Sequence, residues 1–331
     1  MSEKVVLVTD YTWANTAVEE AVLKTANAKL LIAQIGDENE LLRLVPQADG
    51  ILTCFKKVSV AVVRAGEKLQ VIGRYGIGVD NIAVDEATRL GIPVTNVPAY
   101  CLDEVAEHTL AFILACARNI SHYNNAIRAD DWALNSQRPL FRVRGKVLGI
   151  IGFGKIGQTL ATKAASLGLK VIAHSPHPDP AIARQLNVDL VNLDDLLAQS
   201  DFVSLHVPLK PATRHLLNAE RLRQMKPTAF LINTARGGLI DHEALLQALQ
   251  AGWIAGAALD VFEPEHLAPQ HPLFAQPNLI ATPHVAFYSE ESLVELQTKA
   301  AENVAAILNG QRPIALVNSD VLSLPRWSHL R

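Results

Sequence analysis

Three cysteines in 331 residues, Cys54, Cys101 and Cys116, are too few and too scattered for a disulfide framework. Their number is odd, no C-x-x-C occurs, and no Cys/His cluster has ligand spacing. Disulfides, structural zinc and any other resident metal are therefore not expected, and a reducing cytoplasm is the expected compartment. Neither sign of charge is in excess: the formal net charge is −3, which offers nothing to nucleic acid or to an anionic membrane surface. No apolar run is long enough to span a bilayer. The opening Met-Ser-Glu-Lys-Val-Val-Leu-Val-Thr-Asp runs straight into a strand pattern and carries no signal-peptide signature. Repeats and low-complexity tracts are also absent.

What is present is apolar substance in an α/β rhythm. Hydrophobic residues make up 49% of the chain, enough for sizeable cores, and the length suggests about two domains. Apolar runs of strand length recur at Val5–Thr9, Lys29–Ala33, Gly50–Thr53, Val71–Gly73 and Val94–Asn96. They continue at Val147–Ile151, Val171–His174, Phe202–His206, Ala229–Asn233, Ala257–Asp260 and Leu279–Thr282. Helical stretches separate them, which predicts parallel sheets with covering helices. Asp103–Arg118 reads as a helix with Asp103 as N-cap, carrying the chain from a first small domain into a second. Glu290–Leu308 reads as a long helix that brings it back. The last residues, Ser319–Arg331, lack periodicity and read as partly disordered. The expected fold is α/β: two Rossmann-like, doubly wound parallel-sheet domains with a cleft between them, where active sites commonly lie.

The most informative stretch is Val147-Leu-Gly-Ile-Ile-Gly-Phe-Gly-Lys-Ile-Gly157, with Gly152, Gly154 and Gly157 in G-x-G-x-x-G spacing. An apolar strand precedes it, a helix follows through Leu167, and a second apolar strand comes next. That is the βαβ context the motif requires. Gly152 permits the tight turn, Gly154 lets backbone approach a pyrophosphate, and Gly157 lets helix and strand pack closely. The amides of Lys155 and Ile156 open the helix and point at phosphates. Dinucleotide binding follows, against the plainer reading of a Gly-rich turn in an ordinary α/β domain.

Four further features lie downstream at expected strand ends. Arg236, in Asn233-Thr-Ala-Arg-Gly-Gly238, carries a planar fork suited to a carboxylate. Asp260 closes the run Ala257-Ala-Leu259, with Glu265 five residues on. His284 follows Thr282-Pro283. A His near a Glu is a plausible acid/base unit, because the carboxylate orients the ring and favours its charged form. Against this, the chain has 11 His residues, most of them in surface or structural settings, and Arg236 alone could equally be an ion-pair residue.

Taken together, the landmarks Gly73-Arg-Tyr-Gly-Ile-Gly-Val-Asp-Asn81, Val105-Ala-Glu-His108, the glycine loop, His206-Val-Pro-Leu209, Asn233–Gly237, Ala257–Glu263 and Thr282–His284 resemble the D-isomer-specific 2-hydroxyacid dehydrogenase family over about residues 4–318. Within it, Ala286-Phe-Tyr-Ser-Glu290 is similar to the branch containing the C-terminal-binding-protein corepressors. The resemblance implies hydride transfer at C2 of a small 2-oxo acid or D-2-hydroxy acid, as in a glyoxylate/hydroxypyruvate reductase. It implies that Arg236 grips the substrate carboxylate and carbonyl, that His284 gives and takes the proton, and that Glu265 holds His284 protonated and oriented. The amides of Ile77 and Gly78, with Arg74 nearby, would bind the carboxylate. Asp260 would hold the nicotinamide carboxamide. Val207, Pro208 and Thr213 would line the adenosine pocket, Thr234 and Ala235 the nicotinamide ribose, and Val105 and His206 join the cofactor-binding set. The implied domains are residues 1–102 with 290–318 as a flavodoxin-like substrate domain, 103–289 as the dinucleotide-binding domain, and 319–331 as a tail. A homodimer is implied, with the helix from Asp103 and the stretch around Trp132 at its interface.

The chain departs from the pattern in places. Ser175, 23 residues after Gly152, stands where an Asp usually bonds the adenosine ribose. A carboxylate there would repel the 2′-phosphate of NADP and a Ser does not. Yet no Arg follows directly; His174, His177 and the more distant Arg184 are the neighbouring cation candidates. NAD and NADP therefore both fit, with a lean to NADP; Ser175 could also bond the ribose of NAD unaided. His266 replaces the usual Pro after Glu265. Phe287, Tyr288 and, from the other side, Tyr75 bring aromatics toward the substrate. The competing reading is a dinucleotide-sensing, corepressor-like binding protein with little turnover. Phosphite oxidation, a third activity in the superfamily, is disfavoured because those enzymes carry a Lys where Ile77 stands.

Overall fold

The computed structural model describes residues 3–133 and 140–330. The chain packs as two compact units, residues 1–100 with 289–331, and residues 101–288.

In the first unit, strands β1 (Lys4–Val8), β2 (Ala28–Ile32), β3 (Gly50–Thr53), β4 (Val71–Arg74) and β5 (Val94–Thr95) form one parallel sheet in the order β2-β1-β3-β4-β5. Helices cover both faces of such a sheet, so its central strands read as unbroken apolar runs. Val6, Leu7, Val8, Ile51, Leu52, Val71 and Ile72 are accordingly inaccessible to solvent. The order reverses between β1 and β3. There Asp10 ties the two strand ends together, its carboxylate accepting the amides of Cys54, Phe55 and Lys56 at 3.0, 2.7 and 3.2 Å. The expected long helix spans Glu290–Leu308. Leu293, Leu296, Ala300, Val304 and Leu308 recur at three- and four-residue intervals along its buried stripe. Ser289 caps it, with Ser289 Oγ accepting the Ser292 amide at 2.9 Å and Ser292 Oγ accepting the Ser289 amide at 2.8 Å.

The tail is ordered, against the expectation of partial disorder. Ser319–Ser323 and Pro325–Leu330 form 3₁₀ turns, and the buried Trp327 donates its indole N–H to the Gly91 carbonyl at 2.8 Å. Asn318 fastens the start of this segment. Its side chain accepts the Val94 amide at 2.7 Å and donates to the Ile92 carbonyl at 3.0 Å and to Thr88 Oγ1 at 2.9 Å. Short 3₁₀ turns leave no periodic apolar signal, and the anchors are tertiary contacts.

In the second unit, β6 (Val147–Ile151), β7 (Lys170–His174), β8 (Asp189–Leu190), β9 (Phe202–Leu205), β10 (Phe230–Asn233), β11 (Gly256–Leu259) and β12 (Leu279–Ala281) form a parallel sheet. Its order is β12-β11-β10-β9-β6-β7-β8. Counted from β6, this is the doubly wound dinucleotide-binding order with one strand added at the far edge. The expected fold class is therefore seen in both sheets. Only β8 has no counterpart among the expected strands; two residues are too short to show a pattern. The helix Leu102–Arg118 starts one residue before Asp103, and its N-cap is Cys101, with no side-chain cap bond. Asp103 lies instead in the first turn, where a negative charge complements the helix dipole. Lys163 reaches it at 2.9 Å and Glu107 at 2.8 Å. Among the described residues no helix is long and apolar enough to cross a membrane, and no cluster of His, Cys, Asp and Glu could hold a metal ion.

Asn318→Ala should leave a buried Val94 amide and Ile92 carbonyl without partners, at about 1–3 kcal/mol for each orphaned group. A lowered urea midpoint with little change in m-value is the expected outcome; an unchanged midpoint would show that the tail is not held by this residue.

Candidate active site

Ligands of doubly wound sheets bind outside the carboxyl ends of the strands, where the strand order reverses. In the second unit that point lies between β6 and β9, and Gly152 stands at the end of β6. Its φ is +102°, and a Cβ placed there would come within 2.6 Å of the His206 backbone at the end of β9. Any side chain would therefore force the switch point open. Gly157 faces a similar limit, since its Cβ would lie 2.4 Å from the Gly152 carbonyl. Gly154 differs: nothing lies within 4 Å of its Cβ position, and no side chain caps the helix Lys155–Ser166 that it begins. Open space over an uncapped helix start, with the Lys155 and Ile156 amides in its first turn, is what a pyrophosphate requires. The residues fit a bound dinucleotide.

The remaining expected cofactor residues lie at neighbouring strand ends of this unit. Ser175 follows β7 and is half-buried. After β9, burial pushes the His206 imidazole down to about 4, so the ring is neutral near pH 7; it bonds Ser204 Oγ at 2.8 Å. Thr213 closes the Val207–Thr213 turn, its hydroxyl donating to the Pro208 carbonyl at 2.7 Å and accepting the Lys210 amide at 2.8 Å. After β10, Thr234 Oγ1 bonds Thr109 Oγ1 at 3.0 Å. Thr109 is on the Leu102–Arg118 helix, which also carries the buried Val105.

Arg236, Asp260 with Glu265, and His284 follow three adjacent strands, β10, β11 and β12. Arg236 has extended backbone and is half-buried. Asn233, fully buried, shapes its loop from below: it accepts the Ala235 amide at 3.0 Å and donates to the Arg236 carbonyl at 2.8 Å. Arg236 itself donates to the Ala235 carbonyl at 2.7 Å. His284 Nδ1 bonds the Glu265 carboxylate. An ionised carboxylate only accepts, so Nδ1 carries hydrogen and the transferable proton belongs on Nε2. The Phe287 ring stands edge-on to His284, with centroids 6.2 Å apart, and Tyr288 is exposed.

Asp260 is wholly buried. Its carboxylate accepts the Thr282 hydroxyl, the Val285 amide at 2.9 Å and the Ala286 amide at 2.8 Å. Its own carbonyl accepts the His284 amide at 2.7 Å. His284 has φ +57°, unusual for a ring-bearing residue. Asp260 thus grips both flanks of a residue in a left-handed backbone conformation. Two participants carry no role in the sequence reading, Thr282 and His108. His108 Nε2 lies 3.1 Å from Thr282 Oγ1. Because the Thr282 proton is committed to Asp260, His108 donates from Nε2. Burial holds the His108 imidazole below its usual range, against the opposing pull of Asp260. Both residues sit in motifs already singled out, but their contact spans 174 positions and leaves no local signal.

In the first unit, Arg74, Ile77 and Gly78 occupy the end of β4 and the loop after it. Arg74 is buried; it donates to the Tyr75 carbonyl and, through Nε, to Asn81 Oδ1 at 3.1 Å. Ile77 and Gly78 are half-buried, and among the described residues their amides donate to no other group. The expectation for Tyr75 is corrected. It is 1% exposed, and its hydroxyl donates to the buried Glu19 at 3.1 Å while its ring meets Trp13 edge-on. The buried Glu19 supplies an acceptor for its hydroxyl inside the core.

Asp260→Asn puts an NH₂ group against a backbone donor and should release the segment. Hydrogen exchange at residues 284–286 is expected to quicken by about tenfold, one lost bond's worth of protection; unchanged exchange would show that Asp260 does not restrain it.

Residues 110–286 match the family described as "D-isomer specific 2-hydroxyacid dehydrogenase, NAD binding domain". The chain is 42% identical to a glyoxylate reductase of Thermofilum pendens over 291 residues, 86% of each chain. The TT0316 protein of Thermus thermophilus superposes with a TM-score of 0.85 at 36% identity, covering 95% of this chain and 99% of that one. An acyclic imino acid reductase (Bsp5) in complex with NADPH and D-Arg gives a TM-score of 0.85 at 26% identity, with coverage of 95% and 99%. Sequence identity carried over most of the length, on the same two sheets, leads to one conclusion: the chain belongs to the D-isomer specific 2-hydroxyacid dehydrogenase family.

Proposed function

We propose that this protein is a reductase of small 2-oxo acids of the glyoxylate and hydroxypyruvate type, running reversibly toward D-2-hydroxy acids. The observation that carries the reading is the His284–Glu265 pair, His284 after β12 and Glu265 after β11, with Arg236 one strand further on, after β10. A bound nicotinamide cofactor supplies or accepts the hydride. Arg236 binds the substrate carboxylate and draws charge toward the carbonyl oxygen as it becomes an alkoxide. His284 delivers the Nε2 proton to that oxygen and recovers it in the reverse direction. Glu265 keeps Nδ1 protonated and the ring in one orientation. In the first unit, the Ile77 and Gly78 amides with Arg74 are the groups suited to a carboxylate. Asp260, wholly buried with its carboxylate taken by Thr282, Val285 and Ala286, acts in this reading by holding the Thr282–Ala286 segment rather than by meeting the carboxamide. A dinucleotide sensor would need none of Arg236, Glu265 and His284, so the set favours the enzyme. Ser175 tilts the cofactor toward NADP, and the glyoxylate reductase name of the Thermofilum relative supports the substrate class.

The protein acts as a homodimer in the cytoplasm under this reading. Ile120, Ile127, Trp132, Leu140 and Phe141 are all exposed within one short stretch, Trp132 at 73%. Large apolar side chains left exposed along one stretch are the kind that an interface covers. Beside it, at the amino ends of the strands and so away from the glycine loop, is a cavity of about 250 Å³ lined by Cys116, Phe141, Phe202, Phe230 and Ile280. A second copy laid on this face covers both.

His284→Ala should lower kcat with glyoxylate by about 10²–10⁴ while cofactor affinity stays within a few-fold. Equal loss of both, or of neither, would remove His284 from the proton step. Arg236→Lys should cost about 10²-fold in kcat/KM, because a point charge does not reproduce a planar fork. Near-normal activity in that variant would overturn the assignment.

A further inference from the structure

The end of β7 is fastened on both edges. The His174 carbonyl accepts the Gly152 amide at 2.8 Å, so the chain leaves the sheet beside the glycine loop. On the other edge the Val191 amide donates to the Ala173 carbonyl at 3.0 Å, and the Val191 carbonyl faces His174 Nδ1 at 3.1 Å. A carbonyl only accepts, so Nδ1 carries hydrogen. A second proton would enter at Nε2 and leave the Val191 bond intact.

Beyond the strand runs Ser175-Pro176-His177-Pro178-Asp179. In a Rossmann unit this segment meets the adenosine ribose, and a carboxylate there excludes a 2′-phosphate. Ser175 is uncharged. The first carboxylate, Asp179, is occupied elsewhere: it caps the helix Pro180–Gln185 by accepting the Ala181 and Ile182 amides at 2.8 and 3.3 Å. His177 is exposed at a bend, and the Pro178 that follows disfavours helical backbone there. The other charged groups on neighbouring elements are Lys155 at the start of the helix after the glycine loop, Arg184 on the Pro180–Gln185 helix, Asp189 in β8, and Asp194 and Asp195 in the first turn of Leu193–Gln199. All are exposed, and Asp195 accepts the Asn192 side chain at 2.7 Å.

We propose that His174, with His177 from the same loop, forms a proton-dependent clamp for the 2′-phosphate of an adenine dinucleotide, so that preference for NADP over NAD rises as pH falls. The clamp rests on the dinucleotide-enzyme reading above and adds to it the groups that distinguish the two cofactors. Free imidazole titrates near about 6.5, and a phosphate monoester is largely dianionic above about pH 6. Bringing them together favours imidazolium over neutral imidazole. The gain in affinity is therefore largest where imidazolium and the phosphate dianion coexist, and it is lost as pH rises and the ring becomes neutral. NAD brings no such charge and shows no such dependence.

Isothermal titration calorimetry with NADP⁺ and with NAD⁺, in two buffers of different ionisation enthalpy near about pH 7.5, reads proton uptake directly. The expected result is uptake of a fraction of a proton with NADP⁺ and none with NAD⁺. NADP⁺ affinity should fall by about tenfold between about pH 6 and 8.5 as the charge-assisted contact is lost. In the His174→Asn/His177→Asn double variant, with circular dichroism reporting the fold, the uptake should vanish. NADP⁺ binding without uptake in the unaltered protein, uptake that survives the double substitution, or binding of NAD⁺ alone at every pH would each overturn the clamp. Binding of neither nucleotide would instead overturn the dinucleotide reading beneath it.

Discussion

A carboxylate sealed from water carries a large desolvation penalty unless donors surround it. Asp260 meets that condition with a hydroxyl and two amides, all from the Thr282–Ala286 segment. Any excursion of the segment away from β11 strips the carboxylate of its partners, so the penalty restrains in one direction. His284 lies inside the restrained segment with a left-handed backbone, a conformation that persists where surrounding contacts over-determine it. The position of the ring is thus set by a carboxylate that does not bond it. Glu265, which does, then sets where its protons sit.

The same acceptor-only logic extends to the neighbouring imidazoles. Asp260 commits the Thr282 proton, which fixes His108 as donor from Nε2. His206 is neutral through burial alone and serves Ser204. Three histidines near the strand ends therefore have three different roles, and of the three His284 is the one whose ring hydrogen-bonds a carboxylate. Position in the strand-end loop does not separate them; the partner does.

Much of this was legible in the chain. Central strands of parallel sheets are buried on both faces, so runs such as Val147–Ile151 and Phe230–Asn233 stand out without alternation. The glycine spacing also carried its own geometry, since the contacts at Gly152 and Gly157 leave room for no side chain. Arg236, Glu265 and His284 could be named because each follows an apolar run. What escaped depends on partners remote in sequence. Tyr75 turns inward because Glu19 waits there, 56 positions earlier. Trp327 orders the tail by reaching Gly91, 236 positions back. Cys101 rather than Asp103 caps its helix, a difference of two residues that capping preference does not resolve. The inward engagement of Asp260 was hidden for the same reason: its donors belong to the next strand's loop.

The first sheet is discontinuous in the chain, and this bears on biosynthesis. Residues 101–288 form their sheet from one uninterrupted stretch, so they hold every strand they need as soon as they have left the ribosome. Strands β1 to β5 are made earlier yet lack their cover until Glu290–Leu308 emerges, along with Asn318 and Trp327. Until then the apolar face that receives Val304 and Leu308 is open to solvent. The segment translated first is completed last, and the nascent chain passes through an interval of nearly two hundred residues in which its earliest strands are the ones most in need of protection from aggregation.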